Sequence, residues 1–226
     1  MDQNEAKLRA ARAAVAELPE AGVLGLGTGS TAKLFIDEVG ALVRSGRRYT
    51  GVPTSAASRA QAEALGIPLA DDTGPWVIDV CVDGADEVDE HLNVIKGGGG
   101  ALTREKMVNH ASRRNVLIVD RSKLSRRLGE RWPVPVEVLR FGHAATAAAL
   151  AHLGEPVLRQ RDGVPFVTDA GGHIYDLRCG IIADPAALER AIELTPGVVT
   201  SGLFVARASL VLVADESGVT PLHPPR

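Results

Sequence analysis

The chain has 226 residues, 45% of them hydrophobic, and a formal net charge of −3. That is enough apolar material for one large domain or two small ones, and the slight acidity offers no attraction to a nucleic acid or an anionic membrane surface. Only 4% of residues are aromatic and two are cysteine, Cys81 and Cys179, which excludes stacking platforms for single strands, a disulfide framework and a cysteine-rich zinc site.

Residues 1–18, MDQNEAKLRAARAAVAEL, are expected to form a charged amphipathic helix rather than a secretory leader. No apolar run reaches the roughly 18 residues of a membrane-spanning helix, so a cytoplasmic protein without a membrane partner is expected. Residues 23–26 read as a short strand ending in glycines. A helix follows at 31–43, with Leu34, Phe35, Val39 and Leu42 on one side. A weak strand at 49–52, a helix at 55–65 and a strand at 77–82 ending at Asp83 come next. Then come a short extended piece at 94–95, a helix at 101–112 and a strand at 116–119. Continuous apolar strands separated by helices predict a parallel sheet covered on both faces.

The second half changes character. Strands are expected at 134–140, 157–160, 166–168, 173–177 and 198–203, with an alanine-rich helix at 143–153. Residues 169–172 read as a glycine-rich turn. A helix at 185–194 is capped by Asp184, with Pro185 in its first turn. The order β-α-β-β-α-β, plus one short strand, predicts a small ferredoxin-like α+β unit. The apolar run 209–214 is left over and is expected to rejoin the first sheet. The expected domains are therefore 1–130 with 204–226, Rossmann-like and catalytic, and 131–203, small and at a subunit interface.

Three loops carry candidate chemistry. Gly25-Leu26-Gly27-Thr28-Gly29-Ser30-Thr31 follows a strand and opens a helix. Its amides, its hydroxyls and the helix N-terminus suit a phosphate. A dinucleotide fingerprint would need glycine where Ser30 stands, and a Walker loop would need GK[ST]; a tight strand-to-helix turn is the plain alternative. Asp83-Gly84-Ala85-Asp86-Glu87-Val88-Asp89 puts four carboxylates in seven residues at a strand's carboxyl end. Ligands bind there in open α/β sheets, so Asp83 and Asp86 are expected to hold sugar hydroxyls, with a solvated acidic loop as the plain alternative. EF-hand spacing is absent, and His91 has no second histidine at ligand spacing, so no metal is expected. The third loop, Lys96-Gly97-Gly98-Gly99-Gly100, leads into a helix carrying Glu105. Glu105 shares a face with Ala101, Leu102, Val108 and Asn109. Poor solvation there would raise its pKa, while Lys96 and the helix N-terminus oppose the rise; a general base is the functional reading and a solvent-facing glutamate the plain one. After a further strand, Val119-Asp120-Arg121-Ser122-Lys123 supplies a second candidate cation, Lys123.

Together GLGTGST, VDGADEVD, KGGGGALTREK, VDRSK, PVPVEV and PGVVTSGLF resemble the type A family of ribose-5-phosphate isomerases over nearly the whole chain. The resemblance implies interconversion of ribose 5-phosphate and ribulose 5-phosphate with no metal and no other cofactor, in a homodimer or homotetramer. It implies Glu105 as proton acceptor, with Asp83, Asp86 and Lys96 as its catalytic companions. Thr28, Gly29, Ser30, Thr31, Gly84, Ala85, Gly97, Gly98, Gly99 and Lys123 become substrate-binding residues. Three places depart from the family pattern: Gly100, where alanine is commoner; 54–57, in place of a TSxQ-like stretch; and 169–172, which lacks the usual asparagines. Rival readings are a sugar-phosphate sensor, for which no helix-turn-helix is evident, and a deaminase or CoA transferase on a similar scaffold. A deaminase is expected to show a histidine beside its acids, and a transferase to use its glutamate as a nucleophile.

Overall fold

The computed structural model describes residues 3–225. Met1 and Asp2, which head the first expected helix, lie outside the described residues, as does Arg226. The chain begins with α1 (Gln3–Val15), β1 (Ala21–Leu26), α2 (Ser30–Arg44), β2 (Arg48–Pro53), α3 (Ala56–Ala64) and β3 (Ile78–Asp83). It continues with β4 (Glu87–Val88), β5 (Val94–Ile95), α4 (Leu102–His110), β6 (Ser112–Asp120), β7 (Val134–Val138), α5 (His143–Leu150) and β8 (Glu155–Leu158). Then come β9 (Gln160–Arg161), β10 (Val164–Pro165), β11 (His173–Arg178), α6 (Pro185–Glu193), β12 (Val198–Ser201), β13 (Leu203–Phe204), β14 (Leu210–Asp215) and β15 (Gly218–Leu222).

Two compact units result, one of residues 3–85, 105–123 and 207–225, the other of residues 86–104 and 124–206. The expected boundaries, 131 and 203, differ from these. Residues 86–104 group with the small unit because β4 pairs with β5 and β5 pairs there with β13. The Glu87 carboxylate also accepts the amides of Gly129 at 3.0 Å and of Arg131 and Trp132 at 3.2 Å.

The first unit is built on one sheet of order β15-β14-β6-β3-β1-β2. Its strands are parallel except β15, which runs antiparallel on the edge. The run at 209–214 does rejoin this sheet, as β14 beside β6. From β1 the chain steps outward to β2 and then across to β3, so the switch point lies between β1 and β3. Leu24, Val82, Ile118 and Leu212 from the strands bury against Phe35 and Ile36 of α2.

The second unit holds a four-stranded antiparallel sheet of order β12-β7-β11-β8. With α5 after β7 and α6 before β12, this is the ferredoxin-like arrangement the element order predicts. Asp184 caps α6 by accepting the Ala187 amide at 3.0 Å, and Val136, Leu150, Leu177 and Ile192 form the core. β9 and β10 make a tight hairpin over Asp162-Gly163, both at positive φ, the conformation that an Asp-Gly two-residue turn favours. The strand expected at 166–168 is absent. Phe166 instead lays its ring 4.8 Å from the Arg161 guanidinium. Thr168 turns its amide to the Gly172 carbonyl at 3.0 Å, closing the expected glycine-rich turn.

Candidate active site

β1 ends at Leu26, and its loop is tied to β3. Gly27 donates its amide to the Val82 carbonyl at 3.0 Å. Thr28 donates its amide to Asp83 Oδ1 at 2.9 Å, and Gly84 donates to the same oxygen at 2.7 Å. The glycine–hydroxyl loop and the first acid are therefore in physical contact at the switch point. A Cβ on Gly27 would lie 2.3 Å from Asp83 Oδ1 and 2.6 Å from its Cα, so only glycine permits this approach. Gly29 precedes α2 at φ 109°, ψ 175°, a region open essentially to glycine alone. That conformation lets the helix start at Ser30, with Gly29 and Ser30 exposed and Thr31 half-buried.

Two supporting residues escaped the sequence reading. Thr54 Oγ1 lies 2.7 Å from Thr28 Oγ1, and Ser58 donates its hydroxyl to the Gly27 carbonyl at 2.6 Å. Both are buried. Their signal in the sequence is the hydroxyl-rich TSAAS after β2, at the same carboxyl edge of the sheet.

The acidic heptad resolves into four carboxylates with four separate sets of donors, which removes the repulsion its composition suggests. Asp83, 3% exposed, takes the two amides just described. Asp86 Oδ2 takes the Gly98 amide at 2.7 Å. Glu87 binds the amides near Trp132. Asp89 accepts the amides of His91 at 2.9 Å and Asn93 at 2.8 Å. Glu87 and Asp89 are thus structural. Among the described residues no cluster of three or more histidine, cysteine, aspartate or glutamate side chains suits a metal ion.

In the second unit the Lys96–Gly100 loop is a closed turn, the Gly100 amide meeting the Gly97 carbonyl at 3.0 Å. A Cβ on Gly98 would meet Asp86 Oδ1 at 2.7 Å, and one on Gly100 would meet the Phe166 ring at 2.5 Å. Lys96 is 3% exposed, with Nζ 5.7 Å from the centre of the Phe204 ring. A charge so placed gains from the ring's negative face. Glu105, in the first turn of α4, is 5% exposed, so the solvent-facing alternative is excluded. Val108 and Asn109 on its face are buried as well. Lys123 ends the short 3-10 turn after β6 and is half-buried. Cys81 is buried beside Val108, and burial pushes the Cys179 thiol up to about 11, so Cys179 is protonated and non-nucleophilic near neutrality.

A parallel sheet with a glycine–hydroxyl loop and a buried acid at its switch point defines a class, the α/β proteins that bind small phosphorylated ligands. Comparison with known proteins narrows the class. The family profile described as Ribose 5-phosphate isomerase A (phosphoriboisomerase A) matches residues 50–218. Ribose-5-phosphate isomerase A of Gloeobacter violaceus is 50% identical over 226 residues, covering 99% of this chain and 98% of its own. That of Roseiflexus sp. is 47% identical, over 100% of this chain and 98% of its own. Among solved structures, ribose 5-phosphate isomerase A from Methanocaldococcus jannaschii superposes with a TM-score of 0.93 at 39% identity, covering 98% of this chain and all of that one. A D-ribose-5-phosphate isomerase in complex with phospho-erythronic acid gives a TM-score of 0.93 at 36% identity, over 99% and 100% of the two chains. The chain belongs to the ribose 5-phosphate isomerase A family.

Proposed function

We propose that this protein is an aldose–ketose isomerase that interconverts D-ribose 5-phosphate and D-ribulose 5-phosphate. The observation that carries the reading is the end-to-end match to proteins of that name, with the glycine loops and the Glu105 segment intact. The solved relative holding phospho-erythronic acid adds a chemical hint, since that ligand ends in a carboxylate.

The reaction moves one proton between C2 and C1 through an enediolate, while the hydroxyl proton passes between O2 and O1. A single base on one face of the open-chain sugar takes the proton and returns it, and Glu105 has that role. Its burial keeps competing water away from the carboxylate. Negative charge develops on the carbonyl oxygen, where preorganised donors are worth most. Lys96 and the amides of Gly97 and Gly99 are assigned there, because a buried ammonium acts more strongly on a developing oxyanion than on a solvated phosphate; the Gly98 amide instead orients Asp86, whose Oδ2 accepts it at 2.7 Å. Asp83 and Asp86, with Gly84 and Ala85 between them, orient hydroxyls and assist ring opening. Thr28, Gly29, Ser30, Thr31 and Lys123 hold the phosphate. Binding energy from that remote group keeps the reacting carbons in a productive pose. The protein acts without a metal, in the cytoplasm, as a homodimer or homotetramer. The small domain supplies the subunit contact, a role supported by Phe141 in the second unit, whose surface is 94% exposed.

The test is incubation with ribose 5-phosphate in deuterated water. Ribulose 5-phosphate carrying deuterium on carbon is the expected product. Saturable binding without turnover would instead establish a sensor.

A further inference from the structure

We infer that Arg159, backed by Asp176, is a positioning residue for the isomerisation, setting the amides of Gly98 and Gly99; the inference rests on the function proposed above. Arg159 follows β8 and lies outside every motif singled out in the sequence. Its Nη1 donates to the Gly97 carbonyl at 2.8 Å and to the Gly98 carbonyl at 3.3 Å. Its other edge is fixed on Asp176: Nε donates to Oδ2 at 2.9 Å, and Nη2 donates to Oδ1. Both side chains are largely buried, at 16% and 22% exposure.

A trans peptide is planar, with its C=O and N–H pointing in opposite directions. Holding the Gly97 oxygen on the guanidinium therefore sends the Gly98 N–H the other way, where Asp86 Oδ2 receives it at 2.7 Å. Peptide 97–98 is clamped between a cation and a carboxylate. The same logic applies one residue on. With its oxygen on Arg159, peptide 98–99 must direct the exposed Gly99 N–H away from the guanidinium. Four consecutive glycines have more backbone freedom than any other sequence; the Gly100 amide helps to hold the Gly97 carbonyl from within the loop, and the choice of orientation for peptide 98–99 is left to a group outside it. Arg159 makes that choice, and through Gly98 it also orients the Asp86 carboxylate.

Lysine cannot replace it. The planar guanidinium serves Asp176 along one edge and two carbonyls from Nη1, whereas an ammonium is a single point of charge. A merely structural ion pair would stabilise the fold without favouring one ligand chemistry over another. The two roles separate in Arg159→Met, assayed with ribose 5-phosphate and with two four-carbon ligands. Phospho-erythronic acid ends in a carboxylate, and erythritol 4-phosphate has a neutral alcohol in its place. The expected result is a kcat lower by about 100-fold, as for a misplaced catalytic group, with KM little changed. Affinity for phospho-erythronic acid should fall by a similar factor, while that for erythritol 4-phosphate should not. Arg159→Lys should recover little of the loss. If Arg159→Met fails to fold, Asp176→Asn carries the test, with the same pattern at smaller amplitude. A folded variant with kcat within twofold of wild type, or with both ligands weakened equally, overturns the inference. An inactive wild-type enzyme overturns the proposed function instead.

Discussion

Gly27 and Gly29 stand two residues apart in the phosphate-type loop and resist substitution for different reasons. At Gly27 the obstacle is space, since a methyl group would run into the backbone of Asp83 at 2.6 Å. At Gly29 space is open, with nothing within 4 Å of an added Cβ, but φ is 109°. Gly27→Ala is therefore an overpacking change and should cost about 3 kcal/mol. Gly29→Ala should cost only backbone strain, about 1–2 kcal/mol. Urea midpoints of the two variants check the order, and equal midpoints would mean that β1 and β3 can separate to admit the methyl. The glycine spacing was legible in the sequence because glycine runs have few other uses. Arg159 was not, because a lone arginine at a strand end has the same local pattern whether it faces water or two carbonyls of a loop 60 residues earlier.

At the scale of elements, the start of α4 is anchored by a buried carboxylate on β7. Glu137, 1% exposed, accepts the hydroxyls of Thr103 and Thr168 and the amide of Gly172. One strand, the first turn of a helix and the glycine-rich turn at 169–172 thus share one acceptor group. Thr103 is two residues from Glu105, so this anchor also fixes where the helix that carries the proposed base begins. Glu137→Ala removes the acceptor of the buried Thr168 hydroxyl and of the half-buried Thr103 hydroxyl, and one of two acceptors of the Gly172 amide, and should lower stability by about 3 kcal/mol. Glu137→Gln keeps one carbonyl acceptor and should lose less. Chemical denaturation of the pair measures this, and matching losses would show that the acceptor geometry is not what anchors the helix. Nothing in the strand pattern of PVPVEV marks Glu137 as buried, since successive strand residues face opposite sides of the sheet. Elements with long apolar periodicity were legible, including α2, α6 and the returning strand β14. Two short strands were not: β15 is GVTPL on an open edge, and β4 has two residues, each too brief to leave a pattern.

At the scale of the molecule, the motifs fall in both compact units. The glycine–hydroxyl loop, Asp83 and Glu105 belong to the first, and Asp86, Lys96 and the Gly97–Gly100 run to the second. The chain crosses from one to the other between Ala85 and Asp86, and back between Arg104 and Glu105. Both crossings fall inside the motifs that carry the chemistry. Sequence order made the motifs visible and hid the division, because the crossings occur in segments without linker character. The central claim is that one carboxylate carries the proton. Glu105→Gln removes the base while preserving shape. The direct measurement is the rate of ribulose 5-phosphate formation by this variant, alongside its affinity for phospho-erythronic acid. The predicted result is a kcat lower by about 10²–10⁴ with the ligand still bound; turnover near the wild-type rate would contradict the account.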